Sequence, residues 1–149
     1  MKQLTIALLM MFCCATANAQ NAETTMQDIY EKGGELVKML EERYEQEIVR
    51  IEYDLLFGTK ESIRTLSTSY RYTVLAFSDD RVEDLDITVY KRSGNSWEQI
   101  MKDTETDNSP LVQFTPTAAT EYKVEIKAYK FREGESAAHY GLIISHDMP

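Results

Sequence analysis

The chain of 149 residues carries 16 basic and 25 acidic side chains, for a formal net charge of −9. With 43% hydrophobic and 28% charged residues it has the balance of one globular domain, and too much apolar surface for a disordered acidic tail. The same charge disfavours a free-standing nucleic-acid binder, because contacts to phosphate need a basic face.

The first segment, Met1 to Ala19, has Lys2 near its start, an apolar run from Leu4 to Ala15 and the small-residue end Ala17-Asn18-Ala19. This is the pattern of a secretory signal peptide. The apolar run falls short of the ~20 residues that cross a bilayer, so the expectation is a mature chain from near Gln20 with no membrane span, in the periplasm or secreted. Phe12 before Cys13 argues against a lipid anchor, which needs a small residue there. Cys13 and Cys14 are the only cysteines and both lie in this segment. The mature chain is therefore expected to have no disulfide, thiol nucleophile or thiolate zinc site.

Residues 20–48 are expected to carry an N-terminal helix. From Met26 to about Glu47 the apolar residues Met26, Ile29, Tyr30, Leu36, Val37, Leu40, Tyr44 and Ile48 recur at three- and four-residue steps, which marks one apolar helix face. Thr24 or Thr25 can cap the start, and Lys38 with Glu42 is an expected surface pair. Gly33-Gly34 costs about 1 kcal/mol per glycine relative to alanine, so packing has to hold this helix. It can cover its own sheet or dock on a partner.

Residues 49–149 are read as a β-sandwich. Val49, Ile51, Tyr53 and Leu55 alternate with charged residues, and Phe57-Gly58-Thr59 breaks the run. Strand-like segments follow at Ile63 to Ser67, Tyr70 to Phe77, Leu85 to Tyr90, Trp97 to Lys102, Leu111 to Thr115, Tyr122 to Tyr129 and Tyr140 to His146. Turn signals separate many of them, and no helical pattern intervenes, so an antiparallel sandwich is predicted. The segments Thr73 to Phe77 and Tyr140 to Ser145 are apolar at successive positions, which implies cover on both faces. The helix is the obvious cover for one sheet.

The run Asp84-Leu85-Asp86-Ile87-Thr88-Val89-Tyr90, then Phe114-Thr115-Pro116, then Glu121-Tyr122-Lys123-Val124-Glu125-Ile126, then Tyr140-Gly141-Leu142-Ile143-Ile144, resembles the bacterial pre-peptidase C-terminal domain. The resemblance implies a jelly-roll-like β-sandwich, here with one added N-terminal amphipathic α-helix. It also implies an accessory or substrate-contacting module that is not catalytic and in some members binds calcium. The chain departs from the pattern at Ala118-Ala119-Thr120, where the family usually has a glycine beside the tyrosine.

Asp79, Asp80, Glu83, Asp84 and Asp86 put five carboxylates into eight residues. If Leu85, Ile87 and Val89 face the core, Asp84 and Asp86 point together to the opposite face. Cα atoms about 7 Å apart give a repulsion of ~2 kcal/mol at an effective dielectric of 20, which a hard cation relieves. Asp79, Asp80, Asp84 and Asp86 are accordingly the expected calcium ligands. The competing reading is a solvated acidic edge that discourages aggregation. Asp103 to Asn108 begins like an EF-hand loop but has Asn108 at position six and Phe114 at position twelve, so a polar loop is expected, one able to approach the first cluster.

Tyr90 and Trp97 are the expected ligand-contacting aromatics, with Tyr90 on the same outward face as Asp84 and Asp86. His139 and His146, the two histidines, have opposite parity on one strand and cannot share a metal. No zinc-protease, serine-elbow or phosphate-loop motif occurs. The expected function is an exported, non-catalytic binding or accessory module for a protein or polysaccharide outside the inner membrane. A carboxylate-dependent hydrolase and a helix-mediated subunit of a periplasmic complex are the alternatives.

Overall fold

The structure, a computed structural model, describes residues 25–103 and 105–147. The signal segment 1–19, with both cysteines, lies outside the described residues. Helix α1 spans Met26–Tyr44, and eight strands follow: β1 (Gln46–Leu56), β2 (Thr59–Thr65), β3 (Tyr72–Ser78), β4 (Val82–Ser93), β5 (Ser96–Lys102), β6 (Leu111–Phe114), β7 (Glu121–Phe131) and β8 (Ala138–Asp147).

The strands form two four-stranded antiparallel sheets, ordered β1-β8-β3-β6 and β2-β7-β4-β5. Successive strands alternate between layers except for the β4-β5 hairpin, giving a jelly-roll-like β-sandwich with the two antiparallel layers that the strand pattern predicts. The chain changes sheet at Phe57-Gly58, where Gly58 takes φ +144, a value that side chains rarely allow. Strand edges differ from expectation by a few residues: β1 begins at Gln46, so the helix ends earlier and the strand starts sooner than the periodicity suggests. Glu45, in the left-handed conformation, makes the sharp turn between them.

Leu85, Ile87 and Val89 are fully buried. They lie beside Val124 and Ile126 of the same sheet and share one buried cluster with Leu142 and Ile144 of the other sheet. Burial of each such side chain contributes roughly 2 kcal/mol. Tyr122 closes one end of this core, its hydroxyl donating to the Ala118 carbonyl at 3.1 Å. The turn that lacks the family glycine is thus pinned by the tyrosine next to it.

The helix packs on the outer face of the first sheet. Ile29 and Leu40 are buried against Phe77 and Ile143, with Leu36, Val37, Ile48 and Tyr53 around them. This explains why β3 and β8 are apolar on both sides: one face meets the other sheet and one meets the helix. Thr25 caps the helix with Asp28 in a reciprocal capping box, and Lys38 lies 4.0 Å from Glu42. The outer face of the second sheet carries no such cover among the described residues.

Candidate functional site

The uncovered face belongs to β2, β7, β4 and β5. Cross-strand register sets its rows: Ile63, Lys123, Tyr90 and Gln99 in one, Arg92 opposite Trp97 next to it, and Glu61, Glu125 and Thr88 on the other side. Because side chains alternate along a strand, burying Leu85, Ile87 and Val89 forces Tyr90 and its row outward.

Lys123 ties the row together. Its ammonium lies 4.7 Å from the Tyr90 ring centroid and 5.4 Å from that of Trp97, within cation–π reach. Arg92 stands 5.0 Å from the Trp97 centroid. Lys123 also donates to Glu61 at 2.8 Å, and the Tyr90 hydroxyl donates to Glu125 at 3.3 Å. Burial, and then the Glu125 charge, push the Tyr90 phenol pKa above its usual range. Tyr90 and Trp97 therefore share one surface, as candidate contact residues should. Sequence reasoning passed over Lys123 and Arg92, although the outward parity of Lys123, Glu125, Lys127 and Tyr129 was legible in β7.

The structure does not draw the four carboxylates expected as calcium ligands into one place. Asp79 is buried: its carboxylate accepts from the Arg81 backbone N–H at 2.9 Å and from the Arg81 side chain. It also accepts from the His139 backbone N–H at 2.9 Å. Arg81 donates in turn to His139 Nδ1 at 3.0 Å. Asp80 is exposed, and lines with Asp79 a pocket of about 260 Å³ that includes Asp28 and Lys32. Lys32 donates to the Ser78 carbonyl and to Ser109 Oγ, and desolvation lowers its pKa.

Asp84 and Asp86 line a different pocket, of about 220 Å³, with Lys102, Glu105 and Tyr129. Irregular pairing of β4 with β7 on either side of Asp84 marks a bulge at its floor. The loop after β5 folds over this end: Leu85 N–H donates to the Asp107 carbonyl at 2.7 Å, and Asp103 N–H to the Ile87 carbonyl at 2.9 Å. The two acidic segments thus meet. Desolvation, then Asp86 and Asp107, raise the Asp84 pKa. Asp86 is bridged by Lys102 at 3.0 Å, whereas Asp84 Oδ1 is shut from solvent and accepts no hydrogen bond. Among the described residues no three acidic or histidine side chains converge as ligands of one metal ion. His139 belongs to the Asp79 cluster and His146 stacks on Tyr70, so the two histidines serve separate packing roles.

Solved structures bear on the fold. The pre-peptidase C-terminal domain of a Bacillus anthracis collagenase is similar over 64% of this chain and 87% of its own, at 8% identity and a TM-score of 0.50. The fold is that of a pre-peptidase C-terminal domain. A periplasmic inhibitor of g-type lysozyme from Aeromonas hydrophila is similar over 66% of this chain and 85% of its own (16% identity, TM-score 0.49). A mitogen from Yersinia pseudotuberculosis is similar over 68% and 86% (14% identity, TM-score 0.46). No family model matches the chain and no curated protein resembles it in sequence. In this chain the helix covers one sheet and the Tyr90–Lys123–Trp97 row lies on the other. No helix among the described residues is long and apolar enough to cross a membrane.

Proposed function

We propose that the chain is an exported, non-catalytic binding module that holds a protein partner outside the inner membrane on the open face of the β2-β7-β4-β5 sheet. The observation that carries this reading is the Tyr90–Lys123–Trp97 row on the sheet that the helix leaves bare. Tyrosine, tryptophan and arginine are the residues that dominate binding energy at protein interfaces, because they bury large area and still make polar contacts.

A protein fits better than a polysaccharide for a physical reason. A sugar ring stacks on a free aromatic face, but the Trp97 ring already has Arg92 and Lys123 near it. What remains is a mixed surface of ring edges, cations and the carboxylates Glu61 and Glu125, which suits side chains of both charges.

A photoreactive amino acid at Gln99, exposed in the same row as Tyr90, tests the reading in the cell that makes the protein. The expected result is a discrete protein adduct from position 99 and none from Glu35, an exposed helix position. With that partner purified, Trp97→Ala should weaken binding at least about tenfold, or about 1.4 kcal/mol. Absence of an adduct at 99, or retardation of the chain by a polysaccharide gel that Trp97→Ala abolishes, rejects the protein reading.

A further inference from the structure

The open face carries a positive charge that the chain itself does not neutralise. Arg92 and Trp97 stand opposite each other across the β4-β5 hairpin, and two cations flank the Trp97 ring. Lys123, 5.4 Å from the ring centroid, is paired with Glu61 at 2.8 Å. Arg92, 5.0 Å from it, has no such partner, and the ring is its one side-chain interaction among the described residues. Acids outnumber bases 25 to 16 in the chain, yet no described carboxylate lies within ion-pair distance of this arginine. Its five N–H donors are left for an acceptor from outside.

The hairpin holds this cation in place. Gly94 takes φ +58 in the turn, and Ser96 Oγ donates to the Ser93 carbonyl at 2.9 Å, so Arg92 lies between a pinned turn and a large ring. Less side-chain freedom is then lost when its fork is bonded. An arginine–carboxylate pair gains little in open water. Under a partner that covers Trp97 and excludes water, the same pair becomes a strong, two-pronged contact.

We infer that Arg92 anchors an aspartate or glutamate side chain of the protein partner, held by the guanidinium fork beside Trp97. The inference rests on the protein-binding reading of the open face and names the charge that the partner brings to it. Charge complementarity selects this occupant: a basic side chain meets Arg92 and Lys123 together, and an apolar one leaves the guanidinium covered and unbonded. A phosphate offers similar oxygens, but its second charge meets more repulsion from a chain of net charge −9.

The test measures, by calorimetry, the affinity of the chain for the partner caught through position 99. Arg92→Gln should weaken the complex at least about tenfold. Arg92→Lys, which keeps the charge but not the fork, should weaken it at least about threefold. Reversing one acid of the partner to lysine should weaken binding to the wild-type chain about as much as Arg92→Gln does, and Arg92→Glu should restore affinity to that reversed partner alone. Phosphatase treatment of the partner should change nothing. If Trp97→Ala weakens the complex while both Arg92→Gln and Arg92→Lys leave it within about twofold, the inference falls and the open-face reading stands. Loss of binding after phosphatase, or no acid whose reversal Arg92→Glu rescues, also overturns the inference, and absence of any adduct at position 99 rejects both readings together.

Discussion

Gly33 of the helix lies directly against Tyr53 of β1: a Cβ at position 33 would stand 2.1 Å from the tyrosine hydroxyl and 2.8 Å from two ring atoms. Tyr53 is itself wedged between Tyr30 and Phe77, with centroids 5.6 and 6.4 Å away. The glycine pair that weakens the helix in isolation is therefore asymmetric, since a Cβ at Gly34 meets nothing within 4 Å.

Gly34→Ala should accordingly stabilise the protein by up to about 1 kcal/mol through helix propensity. Gly33→Ala should destabilise it, because displacing the ring costs more than that propensity returns. Urea unfolding of both variants checks the pair, and truncating Tyr53 should turn the effect of Gly33→Ala favourable.

Asp79 offers a second prediction. Its side chain is 3% exposed and is the anionic partner of Arg81. Asp79→Ala removes that partner and the acceptor for the His139 N–H, and should cost roughly 3 kcal/mol. Asp79→Asn, which keeps an acceptor for that N–H, should lose less. Equal losses in chemical denaturation would contradict this account.

The raised pKa of Asp84 makes its stability effect depend on pH in a defined direction. The folded chain holds this proton more tightly than the unfolded chain, so the ionised form subtracts from stability at neutral pH. The subtraction fades as pH falls through the raised folded pKa toward the ordinary value of 3.8. Asp84→Asn should raise the melting temperature at pH 7 and change nothing at pH 3.

Tyr140 is governed by the opposite end of the scale. Burial, and then Glu52 and Asp54, push its phenol from 10.0 up to about 12. Its contribution is complete below pH 10 and is lost as pH rises toward 12, because the unfolded chain ionises first. The loss should reach roughly 2 kcal/mol across that window. Tyr140→Phe should flatten the alkaline limb of a stability profile.

How much of this was readable in advance follows from the range of each signal. Strand parity is local, so Leu85, Ile87 and Val89 could be assigned inward, and Asp86 and Tyr90 outward, from spacing alone. The doubly apolar stretches of β3 and β8 likewise required a cover, and the helix provides it. Asp79 could not be assigned this way. It follows β3, two residues before Arg81, and its acceptors meet His139, 60 residues away in sequence.

The sequence by itself determined the alternation of buried and wet positions, and with it the two-layer sandwich and the acidic character of the chain. Only the tertiary structure decided which outward residues are neighbours. Lys123 reaches Tyr90 and Trp97 because β7 and β5 both pair with β4, and the loop after β5 brings Asp107 over Asp84. Parity is a property of one strand, whereas adjacency depends on register between strands far apart in the chain, which no local spacing encodes.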